Sequence, residues 1–241
     1  MAGNLQLCTA LGETGAVATP QRYFNPMMVN MRSRRWEVSR LEGKFPFRFL
    51  TAVRAVGTDD NGVFAASIHW SHMRWLVRIA REALASSDED EPRSDAGVLD
   101  EWFPHASYVH TYCDDTARQA LRWYSSRRAG RQGRGALALK PDFQEVRWLE
   151  TLIERHNRGW SAYFRIHGIE AQMIEYEAFR AQPHATAAGI VETLGLTARS
   201  SATADLLPAT AIDERSELWI DQYLTERKRL SRSLGVRRKS R

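Results

Sequence analysis

Strand-like and helical runs alternate three times along this chain, and that alternation admits few folds. Residues 63–70 read as a strand and 72–84 as a helix, 106–112 as a strand and 114–124 as a helix, 171–176 as a strand and 184–194 as a helix. A strand that leads into a helix rejoins its sheet in parallel by crossing over one face, so the pattern predicts an α/β fold, a parallel sheet flanked by helices. With 241 residues, 43% of them hydrophobic, the chain can bury one sizeable core and not two. One domain over residues 1–226 is expected, followed by a disordered basic tail, 227–241.

Local punctuation sharpens the pattern. Residues 57–62, Gly-Thr-Asp-Asp-Asn-Gly, are a dense turn signal, and Asp114 or Asp115 can cap the helix that follows. Pro141 opens a long helix over 142–164 with Phe143, Val146, Leu149, Leu152 and Ile153 on one face, and Gly168 stops it. A last helix is read over 213–230. Residues 50–56 are too short and mixed to assign. Residues 86–97 read as a solvated loop. Residues 125–140, where Arg127, Arg128, Arg131 and Arg134 alternate with three glycines, read as a flexible loop that is either simply solvated or a clamp for phosphate or sulfate.

Charge and cysteine content exclude several classes. Residues 227–241 hold eight Lys/Arg and no acid, leaving 26 basic against 29 acidic residues in the rest of the chain. The body is therefore slightly acidic, and the pattern of a nucleic-acid module is missing. No segment approaches the ~20 apolar residues a bilayer span needs, and no signal-peptide pattern opens the chain, so a cytoplasmic protein is expected. Cys8 and Cys113 lack metal-site spacing and read as reduced structural thiols.

The start of the chain carries the chemistry. Gly3-Asn4 opens an amphipathic run from Leu5 to Gly15 with no strand ahead of it. It reads as the second half of a phosphate-binding unit, in which the N–H groups and positive dipole end of a helix hold an anion. A strand ahead of that turn would precede residue 1, so the sheet is expected to lack its first strand through a misassigned start or a natural truncation.

Four blocks together resemble the bacterial trehalose sulfotransferase family. They are Leu7-Cys-Thr-Ala-Leu-Gly-Glu-Thr-Gly-Ala-Val-Ala-Thr-Pro-Gln-Arg-Tyr-Phe24; Asn61-Gly-Val-Phe-Ala-Ala-Ser-Ile-His-Trp70; the run from Tyr108 to Trp123; and Asn157-Arg-Gly-Trp160 with Tyr163-Phe164, Tyr176-Glu177 and Ser216-Glu-Leu-Trp219. The resemblance implies a P-loop-like sheet and transfer of a sulfuryl group from 3′-phosphoadenosine 5′-phosphosulfate, with no metal, to a hydroxyl-bearing small molecule such as a sugar. It also implies a homodimer.

Mapped through the resemblance, Gly3, Asn4 and Leu5 fall in the turn for the 5′-phosphosulfate, with Met1 where the family has Arg. Cys113 stands at a family Arg and Arg122 at a family Ser of the 3′-phosphate site. Gln21, Tyr23, Phe24 and Trp70 fall on the acceptor side. Arg22 occupies the position of the family's general base, a Glu, and Ser67 that of a Lys. A guanidinium has donors and no acceptor, so Arg22 cannot take a proton. His69 is the candidate replacement, with His72 beside it, against the reading of both as structural histidines. Two functions therefore stand: a sulfotransferase with a rebuilt site, or an inactive relative that binds a ligand or partner.

Overall fold

The computed structural model describes residues 2–39, 43–85, 93–132, 141–199 and 214–239. Helix α1 (Ala2–Glu13) leads through a loop and a 3₁₀ turn (Pro26–Met28) to α2 (Val29–Arg35) and α3 (Phe45–Gly57). Then come α4 (Trp70–Leu84), α5 (Asp95–Trp102), strand β1 (Val109–Tyr112), α6 (Thr116–Gln132) and α7 (Phe143–Ile166). Strand β2 (Gln172–Glu175), α8 (Tyr176–Ala181), α9 (Pro183–Thr193) and α10 (Glu214–Lys239) complete the order.

The fold is α/β and helix-rich, with a small parallel sheet flanked by helices. Strand β1 pairs with β2 in parallel, Val109 opposite Gln172 through Tyr112 opposite Glu175. Residues 63–70, expected as a strand, make only single bridges, Phe64 to Thr58 and Ala66 to Gln21. The alternation is real, but the flanks of this segment are a turn on one side and a loop on the other. Ala65 N–H donates to the Gly57 carbonyl at 3.1 Å and Ser67 N–H to the Gln21 carbonyl at 2.9 Å, so no continuous ladder forms.

Buried side chains group into three clusters. Phe24, Phe49, Leu50, Leu76 and Trp102 belong to one built by α3, α4 and α5. Leu7, Leu11, Phe179, Ile190 and Val191 join α1 to α8 and α9. Ala120, Leu121, Val146, Leu149, Ile153, Trp219 and Tyr223 join α6, α7 and α10. Helix α3 covers the 50–56 stretch left unassigned from sequence. Its buried Phe49, Leu50, Val53 and Gly57 fall on one helical face, and Pro46 sits in its first turn.

Two loop expectations change: residues 95–97, expected to end a loop, open α5 behind the Ser94 cap, and α6 runs past residue 125. Helix α6 continues to Gln132, through the first half of the expected 125–140 loop, because partners on α7 hold it: Arg127 pairs with Glu145 at 3.3 Å and lies over the Trp148 ring at 5.8 Å. Arg128 donates to the Tyr124 hydroxyl at 3.0 Å. The remaining residues of that loop, 133–140, and most of the expected 86–97 loop lie outside the described residues. The basic stretch expected as a disordered tail is helical through Lys239, continuous with the part of α10 seated by Trp219, Ile220 and Tyr223. Among the described residues no helix is long and apolar enough to cross a membrane.

Candidate functional site

Three helices turn one face each toward a common cavity of ≈ 820 Å³. Helix α1 contributes Asn4, Leu7, Cys8 and Leu11; α6 contributes Gln119, Arg122, Trp123 and Ser126; α7 contributes Ile153, His156, Asn157, Trp160 and Phe164. Each set follows the three- and four-residue spacing of one helical face. Residues 62–70, the segment through β1 and side chains of α4, α5 and α9 line much of the rest, and the volume lies in the range of small-molecule sites.

The sequence-mapped residues divide sharply. Asn4, Arg22, Phe24, Ser67, His69, Trp70 and Arg122 line this cavity. Leu5 does not: one residue is about 100° around a helix, and Leu5 points outward, 64% exposed. Gly3 lies in the first turn of α1 itself rather than in a turn ahead of it. Gln21 spends its backbone on the bridge to Ala66. Tyr23 is in the core, its ring beside Trp36, Phe64 and the Arg32 guanidinium. Cys113 is buried and lines a second hollow with Asp115, Arg118, Glu177 and Arg180.

At the start of α1, Ser67 Oγ donates to Asn4 Oδ1 at 2.7 Å, and the Cys8 thiol approaches the same oxygen at 3.5 Å. The Asn4 carbonyl is thereby occupied, which leaves its N–H₂ as the donor end. Burial pushes the Cys8 thiol up, so it stays protonated, and burial does the same to Cys113. Arg122 reaches Glu177 at 2.5 Å and lies over the Tyr176 ring at 5.5 Å. Burial opposes ionisation of Glu177, but the bonds and charges of Arg122 and Arg180 outweigh it and hold its carboxyl below the usual range.

His69 stands before the first turn of α4, its Nδ1 2.7 Å from Ser71 Oγ. Its ring centre is 4.6 Å from His156 and 5.5 Å from His72. Burial, then the neighbouring His156, His72 and Arg22, depress its pKa to about 4. Burial likewise lowers His72, His110 and His156. These imidazoles are neutral at pH 7 and can accept protons, though weakly.

The wall is also notable for its charges. It carries Arg22, Arg54 and Arg122 and the imidazoles of His69, His105, His110 and His156, and among the described residues no Asp or Glu lines it. No group of three or more His, Cys, Asp or Glu that could hold a metal occurs among the described residues. Gln119 Oε1, at the α6 wall, is buried without a partner among them. Sequence reading did not single out Arg54, Gln119, His156 or Asn157 as site residues. The legible signal was on α7, where His156 and Asn157 interrupt an otherwise apolar stripe from Ile153 to Phe164.

The family model described as Stf0 sulphotransferase matches residues 1–226. The chain is also similar to a trehalose 2-sulfotransferase of Mycobacterium tuberculosis (strain ATCC 35801 / TMC 107 / Erdman), with 27% identity over 192 residues that cover 77% of this chain and 69% of the relative.

Proposed function

This chain belongs to the Stf0 sulphotransferase family, and on that basis we propose that it transfers a sulfuryl group from 3′-phosphoadenosine 5′-phosphosulfate to a hydroxyl of a small molecule within the cavity of α1, α6 and α7. The observation that carries this reading is the lining itself: three arginines, and no carboxylate among the described residues. A polyanionic nucleotide there meets the positive charge of Arg22 and Arg54, focused by low-dielectric walls, while the charge of Arg122 is shared with Glu177. The unpartnered Gln119 Oε1 beside the cavity suits an amine or hydroxyl donor on a ligand.

When bound, the nucleotide supplies an activated sulfuryl group on a phosphate leaving group. The protein's share is positioning and charge stabilisation. Asn4, oriented by Ser67, presents its N–H₂ beside the first turn of α1, whose N–H groups lack helical partners. Arg22 supplies positive charge near the reacting oxygen. His69 takes the hydroxyl proton at Nε2, in the tautomer whose Nδ1–H donates to Ser71 Oγ.

A second reading, a non-catalytic relative, has one specific observation behind it. On the side mapped to the 3′-phosphate, Arg122 is engaged by Glu177 and Cys113 is a buried thiol. Titration calorimetry with 3′-phosphoadenosine 5′-phosphate, followed by transfer assays with labelled donor, separates the possibilities. Saturable heat and labelled product support sulfotransfer. Saturable heat without product on any hydroxyl compound supports the binding protein, and no heat at millimolar nucleotide rejects donor use altogether.

A further inference from the structure

We propose that the hydroxyl acceptor of this cavity is an aromatic one, a phenol whose ring lies against the Trp70–Trp160–Phe164 wall and whose oxygen meets Arg22 and His69. The assignment rests on the sulfotransfer reading above and names its acceptor class.

Three features of the cavity converge on a phenol. The first is a continuous aromatic wall. Trp70 meets Trp160 edge to face at 5.2 Å, Trp160 stacks on Phe164 at 5.4 Å, and His110 lies 6.2 Å from Trp160. The wall is rigid, because Trp70 packs onto α7 at Gly159 so closely that a Cβ there would lie 2.1 Å from the indole. Rigid aromatic surfaces of this kind favour a planar aromatic ligand, which can pack against them edge to face or offset face to face.

The second feature is the lining's polar inventory. A polyol brings many O–H donors, and its strongest acceptors are carboxylates. Among the described residues the cavity offers none. It offers arginines, which favour an oxygen that becomes negative.

The third feature is proton chemistry. The proton acceptors beside Arg22 are neutral imidazoles packed with one another, His69 against His156 and His72. An alkyl hydroxyl is about as weak an acid as water, whereas a phenol ionises near 10. Weak bases flanked by a guanidinium therefore face a much smaller proton-transfer gap with a phenol than with an alkyl hydroxyl. In the transfer, the phenol proton moves to His69 Nε2, the S–O bond to the phenol oxygen forms, and the S–O bond to the donor's phosphate breaks with its electron pair. The products are an aryl sulfate and 3′-phosphoadenosine 5′-phosphate, with no change of oxidation state.

The test is a spectrophotometric pH titration of 4-nitrophenol bound to the full chain, alongside trehalose and 3′-phosphoadenosine 5′-phosphate as competitors. The expected result is an apparent pKa about 1–3 units below that of free nitrophenol, largely restored by Arg22→Gln. Trp160→Leu should weaken binding about tenfold, and if that variant does not fold, the Arg22→Gln titration still decides. Binding with an unshifted pKa, trehalose bound at least as tightly as nitrophenol, or displacement of nitrophenol by the nucleotide would each overturn the assignment, the last by giving the wall to adenine. If nitrophenol is held and shifted while the nucleotide fails to bind, the phenol site stands and the donor reading falls. If the nucleotide binds and nitrophenol does not, the acceptor assignment alone falls.

Discussion

Helix α7 carries two buried polar residues, Glu150 and His156, and their surroundings treat them in contrary ways. Glu150, 4% exposed, accepts from the Tyr223 hydroxyl at 2.5 Å and from Thr116 Oγ1 at 3.4 Å, and Arg227 pairs with it. Every partner comes from α6 or α10, so this carboxylate ties three helices together. His156, 8% exposed, faces His69 and lies near His72. The charges that act on the His69 cluster include the cations Arg22 and Arg155. A buried charge answered by donors is structural glue; a group of bases held neutral beside an acid-poor cavity is arranged for a ligand.

The largest expected effect tests the structural half of that contrast. Glu150→Ala leaves the Tyr223 hydroxyl and Arg227 without their acceptor, and should cost about 2–4 kcal/mol, moderated by the partial exposure of Arg227. Urea denaturation measures it. A loss below about 0.5 kcal/mol would erase the distinction between the two regions.

Lowering the pH probes the other half. His69 has a folded pKa of about 4 against an ordinary 6.5, so between these values the unfolded chain binds more protons than the folded one. Stability contributed by the neutral imidazole is full above pH 6.5 and drains away as pH falls toward 4, on the order of 2–3 kcal/mol. His69→Gln should flatten that part of the stability–pH curve, read by thermal unfolding. An unchanged curve in the variant would show that the cluster does not exclude protons.

Gly159→Ala asks how rigid the aromatic wall is. The added methyl would overlap the Trp70 indole, and relief requires the ring to shift, at a cost of about 1–3 kcal/mol. A displaced tryptophan emission maximum and a lower melting temperature are expected, and wild-type values for both would mean the wall yields freely. Ser67→Ala is the mildest change. It removes one hydrogen bond to Asn4 and should cost about 0.5–1.5 kcal/mol in chemical denaturation, with a larger proportional loss in nucleotide affinity if Asn4 is oriented by it.

Legibility followed the range of the forces involved. The long helix read over 142–164 is α7, Phe143–Ile166, because its signals are local: Asp142 accepts from the Gln144 and Glu145 N–H groups at its start, and Gly168 takes φ +62° past its end. Strands β1 and β2 and helix α9 were legible for the same reason. The 63–70 segment misled because an apolar, strand-like composition records that side chains are covered, not whether a neighbouring strand exists. The continuation of α6 past residue 125 was invisible because its anchors, Glu145 and Trp148, lie on another helix. Asn4 and Leu5 are adjacent in sequence, yet helical phase sends one into the cavity and the other to solvent.

The sequence alone determined helices α7 and α9 with their stops, the alternation of extended and helical runs, the split of charge between body and tail, and the resemblance that led to the family. Those follow from propensity, capping and periodicity, which act over a few residues. Only the tertiary structure decided that Arg22, Ser67 and His69 share a wall with Asn4 and Arg122, and that Glu177 claims Arg122. It alone gathered an aromatic face from residues 70, 160 and 164. Burial, mutual distance and local dielectric set that chemistry, and these belong to residues that meet across the fold from far apart in the chain.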